Sequence, residues 1–318
     1  MNYDNSFTFP LFGGLGNQLF QYFAGKMISE KTGRKLKFEV SHSSLRKSSN
    51  NSAAILDFDF TNDDEFAIEM RSIYVQKFIS LALRNSANTE IKGMVQRKFC
   101  QTMLSLCNYS SHEKLKCFIS DDLGFVNLES INDYNYVIGY FQSFRFFSLL
   151  ASRDSSIKSK IQSSINKLSI EFEDISNEDV IIHVRRGDYI GNRFGILSDS
   201  YYISALKELE KLRNIGKIYA ISDDVHLNLQ NVSDSLNREI QVIPSLEMKA
   251  SSLVALISRF NSIVVANSSL SWWGATFGAM ISDSINIIAP KPWFKDISEP
   301  KSIISPNWQT ISGDIWQK

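Results

Sequence analysis

Val180-Ile181-Ile182-His183-Val184-Arg185-Arg186-Gly187-Asp188 (residues 180–188) is the stretch whose reading decides the fold. Its first five residues form a near-continuous apolar run, which predicts a strand buried on both faces, as in a parallel sheet. Two guanidiniums, a glycine and a carboxylate follow at its carboxyl end. The arrangement recurs downstream. Apolar β-type runs at 217–221, 239–243, 262–266 and 285–289 lead into Ser222-Asp223-Asp224, Pro244-Ser245, Asn267-Ser268-Ser269 and Pro290-Lys291-Pro292-Trp293. Helical patterns fill most of the gaps; Tyr202, Leu206, Leu209 and Leu212 stripe one of them. Strands alternating with helices predict a parallel sheet covered on both faces. Ligands of such sheets bind beyond the strand carboxyl ends, so these polar clusters converge on one rim.

Upstream, a strand at 7–12, the turn Gly13-Gly14-Leu15-Gly16 and a helix starting near Asn17 form a β-turn-α-β opening with a strand at 36–40. Asn17 is the expected helix cap. Residues 41–53 are Ser/Asn-rich and read as a flexible loop. The pattern from 66 to 117 is mostly helical, a strand at 136–140 runs into Phe141-Gln142-Ser143, and two helical patterns occupy 143–170. The polar, acidic segment 171–179 reads as a linker. The expected domains are therefore 1–172 and 173–318, an organisation suited to 318 residues.

Lys+Arg and Asp+Glu both number 34, so formal net charge is zero. That gives no global electrostatic reason to bind nucleic acid or an acidic membrane, while a local basic pocket remains compatible. Cys100, Cys107 and Cys117 are an odd set without a second cluster. They read as reduced cytosolic thiols rather than a disulfide framework or zinc site. No basic segment followed by an apolar run opens the chain, and no stretch approaches the ~20 apolar residues of a membrane span. The expected location is cytoplasmic, with peripheral contact at the inner membrane allowed.

If the strand continued through them, Arg185 and Arg186 would point to opposite faces, so that one could reach a ligand while the other anchored the loop. A guanidinium matches phosphate oxygens as a bidentate fork. The competing reading is a surface pair neutralised by Asp188. Asn267-Ser268-Ser269 precedes an apolar helical stretch, where small residues cap and free N–H groups can receive a phosphate. Trp272-Trp273 reads as core packing. Asp223-Asp224 allows metal binding, base recognition or a loop-end pair. Asp57-Phe58-Asp59 has an Asp-x-Asp pattern but no strand to place it, and reads as a decoy for a metal site. Gly14-x-Gly16 starts a dinucleotide fingerprint, with Glu39 at a suitable distance, but Leu19 takes the place of its third glycine. An NAD-dependent oxidoreductase is the alternative this leaves.

The blocks GGLGNQLFQYFAG (13–25), GYFQS (139–143), HVRRGDY (183–189), SDD (222–224) and ANSSLSWWGA (266–275) resemble the alpha-1,2-fucosyltransferases of glycosyltransferase family 11, especially the bacterial ones. Pro290, Trp293 and Ser305-Pro306-Asn307-Trp308 are similar to that family's C-terminal end. The resemblance implies a GT-B α/β fold, two Rossmann-like domains facing a central cleft, with an acceptor-side N-terminal domain and a donor-binding C-terminal one. It implies inverting transfer from GDP-β-L-fucose to O2 of a β-galactose in an oligosaccharide or lipid-linked glycan, in O-antigen or surface-glycan synthesis, without cofactor or metal. Fucosyl transfer with another linkage or acceptor is the nearer alternative. Carried over by motif, Arg185 meets the β-phosphate, His183 and Asp223 or Asp224 meet guanine, and Arg186, Asn267, Ser268, Ser269, Gly14 and Gly16 belong to the donor site. Asn17 lies at the reacting centre, Asp188 is a candidate base, and Gln18 and Gln142 belong to the acceptor side. Two positions depart from the family pattern. Phe144 stands where an acidic residue usually follows the GYxQS block, and Ala250-Ser251-Ser252-Leu253 lacks the acid common before NSS.

Overall fold

The computed structural model describes residues 5–40, 53–68, 73–85, 91–107, 114–168, 172 and 174–317. The Ser/Asn-rich loop, from 41 to 52, lies outside the described residues, as do Glu171 and Glu173 of the acidic segment. The chain forms two compact units.

Unit 1 comprises Met1–Leu56, Thr61–Ser155 and Pro300–Ile303. Its elements run β1 (Ser6–Leu11), α1 (Leu15–Thr32), β2 (Lys35–Val40), β3 (Phe66–Ile68), α2 (Ile73–Asn85), α3 (Ile91–Ser105), β4 (Cys117–Ile119), β5 (Tyr136–Ile138) and α4 (Phe144–Ala151). The strands form a parallel sheet in the order β3-β2-β1-β5-β4. All six residues of β1 are buried, as a central strand covered on both faces requires. Helix α1 begins at Leu15, with Gly14 in the cap position, rather than at an Asn17 cap. The Asn17 backbone N–H already bonds to the Gly14 carbonyl, 3.0 Å away, within the first turn. Gly13, at φ +79°, makes the turn that a side chain would strain.

Unit 2 comprises Asp57–Phe60, Ser156–Glu299 and Ile304–Lys318. It runs α5 (Ile157–Leu168), β6 (Val180–Val184), α6 (Asp199–Leu212), β7 (Ile218–Ser222), α7 (Gln230–Leu236), β8 (Ile240–Val242), α8 (Ala250–Ile257), β9 (Ser262–Val264), α9 (Ser269–Ile281), β10 (Asn286–Pro290) and β11 (Gln309–Ile311). The parallel sheet has the order β11-β10-β9-β6-β7-β8. The chain builds outward from β6 through β7 and β8, then restarts on the other side at β9. That is the doubly wound order whose switch point lies between β6 and β9.

The units part at Ser155 and Ser156, not at the 172/173 boundary expected from composition. Helix α5 buries Ile157, Ile161 and Ile165 and packs against α8 and α9, so its apolar stripe ties it to unit 2. Asp57–Phe60 belongs to the same core: Phe58 and Phe60 stack 5.0 Å apart and each meets the Phe277 ring edge-on at 6.1 Å. Trp272 and Trp273 are core residues, both fully buried. Among the described residues no helix is long and apolar enough to cross a membrane.

Candidate functional site

The unit 2 switch point carries most of the expected donor residues. Arg185 leaves the end of β6 with its guanidinium between two carboxylates. Nη2 lies 2.6 Å from Asp188 Oδ1, and Nη1 lies 3.0 Å from Asp223 Oδ2. The guanidinium carbon sits 5.4 Å from the centre of the Tyr189 ring, within range of a cation–π contact. Arg186 turns the other way, toward Asp199 and Asp224, each 3.6 Å distant. The two arginines thus divide, although β6 ends at Val184 and Arg186, at φ −131° and ψ −54°, has left the strand conformation. Arg186 anchors the loop against unit 2, and Arg185 is presented at the rim. Asp188 pairs with Arg185 and not with Arg186.

The aspartates are fixed from the neighbouring strand. Asp223 Oδ1 accepts the Arg186 backbone N–H at 2.9 Å. Ser222 donates to the Val184 carbonyl at 2.8 Å and receives the Asp224 N–H at 3.0 Å. Ser245, after β8, donates to the Ser222 carbonyl at 2.9 Å. These hydroxyls stitch the ends of β6, β7 and β8 together. A Cβ at Gly187 would collide with the Asp223 carboxylate, which explains the glycine inside the motif.

His183 lies buried near the end of β6, its Nδ1 without a partner. Burial, reinforced by the Arg185 charge and only partly opposed by Asp223, pushes its pKa down to about 3. The imidazole is therefore neutral at physiological pH. Its backbone carbonyl accepts from the Tyr202 hydroxyl at 3.2 Å.

Across the switch point, Asn267 is a buried brace. Its Nδ2 donates to the carbonyls of Phe194 and Gly195 at 3.1 and 3.0 Å, while its Oδ1 is buried without a partner. Tyr189 bridges the two sides of the switch by donating to the Asn267 carbonyl at 3.0 Å. Burial raises the pKa of that phenol, so it remains a donor. Ser268 is the N-cap residue of α9 but its side chain makes no cap bond, and Ser269 opens the helix beside it. The N-terminus of α9 thus presents backbone N–H groups and two small side chains beside β6. Ser222 and Ser245 stand in the polar clusters that the sequence places at the rim, whereas Phe194 carries no such signal. Tyr189 lies within the HVRRGDY block, the only signal that pointed to it.

In unit 1 the switch point lies between β1 and β5. Gln142, after β5, donates through Nε2 to Asn17 Oδ1 at 2.9 Å, and its Oε1 is buried without a partner. Phe141 holds the left-handed conformation at φ 54°, a strained choice for an aromatic residue. It keeps its ring in the core against Phe9, 5.0 Å away, and turns the next residue toward Asn17. Gln18 is buried and engaged at both ends, donating to the Gly13 carbonyl at 3.0 Å and accepting the Ile55 N–H at 3.3 Å. These two bonds brace the turn. Gly16 is buried within α1, while Gly14 faces open space.

The Asp-x-Asp of Asp57 and Asp59 is committed elsewhere. Asp57 accepts from Ser251 Oγ at 2.6 Å and lies 3.8 Å from the Lys249 ammonium; Asp59 pairs with Lys167. Asp57 therefore supplies a carboxylate at the start of α8, where the sequence has Ala250-Ser251-Ser252 in place of an acid. Among the described residues no group of three or more His, Cys, Asp or Glu side chains is placed to hold a metal ion.

The family model described as Glycosyl transferase family 11 matches residues 9–312. An Escherichia coli alpha-1,2-colitosyltransferase is 27% identical over 304 residues, covering 90% of this chain and 91% of the relative. The Escherichia coli O-antigen biosynthesis glycosyltransferase WbnK is 26% identical over 304 residues, covering 92% and 96%. Among solved structures, NodZ alpha-1,6-fucosyltransferase soaked with GDP-fucose matches at 14% identity with a TM-score of 0.45, covering 94% of this chain and 97% of that one.

Proposed function

The chain belongs to glycosyl transferase family 11, and from that premise we propose that it transfers L-fucose from GDP-β-L-fucose, with inversion, to O2 of a β-galactose in an oligosaccharide of O-antigen or other surface-glycan synthesis. The observation that carries this reading is Arg185 at the β6/β9 switch point, its fork held by Asp188 and Asp223 beside the N-terminus of α9.

Departure of GDP develops negative charge on the diphosphate, and fixed cations and N–H donors stabilise it without reorganising. Arg185 supplies the cation, and the α9 N-terminus at Ser268 and Ser269 supplies donors. Asp188, exposed and bonded to Arg185, orients the fork and can yield that place to a phosphate. Neutral His183 offers a hydrogen bond to the base without adding charge, and Asp223 and Asp224 stay with the arginines they hold. In unit 1, Asn17, fixed through its Oδ1 by Gln142, leaves its Nδ2 to bond a reacting oxygen. Metal plays no part in this scheme.

A second reading changes only the sugar: the relative named an alpha-1,2-colitosyltransferase favours a colitosyl donor. One experiment separates the two. The EDTA-treated protein is incubated with GDP-fucose, or with a colitosyl nucleotide donor, and lactose, N-acetyllactosamine or a Galβ1,3-linked disaccharide. Products are read by mass and NMR. A fucosyl-α1,2-galactose linkage supports the proposal. Turnover of the colitosyl donor alone transfers it to the second reading, and strict dependence on added Mn2+ or Mg2+ refutes the metal-free scheme.

A further inference from the structure

Large apolar side chains are exposed unevenly over the described residues. Ile91, Met94, Val95 and Phe99 stand at i, i+3, i+4 and i+8 on α3, each between 50% and 81% exposed, and Leu106 continues the exposure past the helix end. The buried stripe of α3 is a different one, Gly93, Arg97, Cys100 and Leu104. Cys100 and Leu104 join Val75 and Ile79 of α2 and Cys117 and Ile119 of β4 in the core. Helix α3 is therefore apolar on two faces, and its own unit covers one. Phe99 reaches back only edge-on to Phe78, at 6.0 Å. A stripe at this spacing is the seat of a contact in an amphipathic helix.

Charge identifies the contact. Lys92 and Lys98 are exposed beside the stripe, and Lys77, Lys114 and Lys116 are exposed on the segments around it. From 71 to 116 the sequence has eight Lys and Arg against two Glu, in a chain whose total charge is zero. The nearby acids, Asp121 and Asp122, lie across a groove of about 490 Å³ from Met94 and Lys98. Asp122 is taken up by Lys301, 3.3 Å away, and by the Gly124 N–H. A second copy docking here by two-fold symmetry would set these lysines against one another. An anionic bilayer accepts both components: apolar side chains enter the acyl boundary, and lysine stems carry their ammonium groups back to the phosphates.

We propose that the outward stripe of α3 is the face by which this chain rests on an anionic lipid surface. The proposal is independent of which sugar is transferred. The test is co-sedimentation of the full chain with vesicles of phosphatidylethanolamine and phosphatidylglycerol, against vesicles of phosphatidylcholine. Binding should require phosphatidylglycerol, weaken as salt is raised, and fall at least about fivefold in Lys98→Glu and in Val95→Glu. Both substitutions are at exposed positions, so melting temperature and transfer to a soluble disaccharide should be unchanged. Sedimentation indifferent to phosphatidylglycerol, or unaltered in both variants, overturns the proposal. A concentration-dependent dimer in light scattering that Val95→Glu dissolves also overturns it, because the stripe then belongs to a second copy.

Discussion

Asp223 holds Arg185 from the neighbouring strand, its Oδ2 standing 3.0 Å from the Arg185 Nη1. The same carboxylate receives the Arg186 backbone N–H through its other oxygen, so it aims one arginine by gripping the next. A guanidinium aimed before substrate arrives does not reorganise during leaving-group departure. Arg185→Ala and Arg185→Lys are therefore expected to lower kcat by about a hundredfold or more, lysine failing because an ammonium cannot reproduce the fork. The ion pairs are partly exposed, so melting temperature should move little. Steady-state kinetics beside thermal denaturation checks both points, and near wild-type turnover in either variant refutes the role.

Gly187 tests the same device from the backbone. A methyl group there would meet the Asp223 carboxylate, which cannot retreat without releasing both arginine contacts. Gly187→Ala should weaken GDP binding about tenfold or more by misaiming Arg185, with a smaller effect on folding. Calorimetric titration with GDP measures it. Unchanged affinity would mean that the fork tolerates displacement.

Asp57 and Asp59 separate architecture from chemistry. Ser251→Ala removes a hydrogen bond to a charged partner on fully buried Ser251, so about 1–2 kcal/mol of stability should be lost in urea unfolding. Asp57→Asn with Asp59→Asn should keep transfer activity in EDTA while unfolding more readily. Loss of activity that Mn2+ restores in the parent protein would reassign the pair to a metal.

The parts of this molecule written in runs were legible, and the parts made by distant partners were not. The runs at 180–184, 217–221, 239–243, 262–266 and 285–289 are strands β6 to β10 to within two residues, because strands buried on both faces need continuous apolar side chains. Strand β11, Gln309–Ile311, is an edge strand with two exposed residues and one half-buried, and leaves no such run. The opening helix starts two residues before Asn17, since a glycine turn can enter a helix without a side-chain cap. The division of labour between Arg185 and Arg186 is the one a continued strand would give, but β6 stops at Val184 and the backbone turn at Arg186 produces it instead. Their partners Asp199, Asp223 and Asp224 come from other elements, which no local pattern connects. Nor did any pattern announce the bond between Asn17 and Gln142, which depends on Phe141 adopting a conformation its residue type disfavours.

His183 gives the fold a calculable response to acid. In the folded chain its pKa is pushed down to about 3, first by burial and then by Arg185; unfolded, it returns to the ordinary value near 6.5. Between those values the unfolded chain binds a proton that the folded chain refuses, so stability falls as pH drops, by up to ~1.4 kcal/mol per pH unit from this group. Above pH 6.5 both states are neutral here and the contribution is level. His183→Asn removes the proton site while retaining a polar side chain in the strand. Its unfolding free energy, followed from pH 7 to pH 4, should therefore decline less steeply than that of the parent, even where the variant is less stable at neutral pH. Parallel slopes would mean that the imidazole gains a proton while the chain is still folded, and that burial at the end of β6 does not hold it neutral.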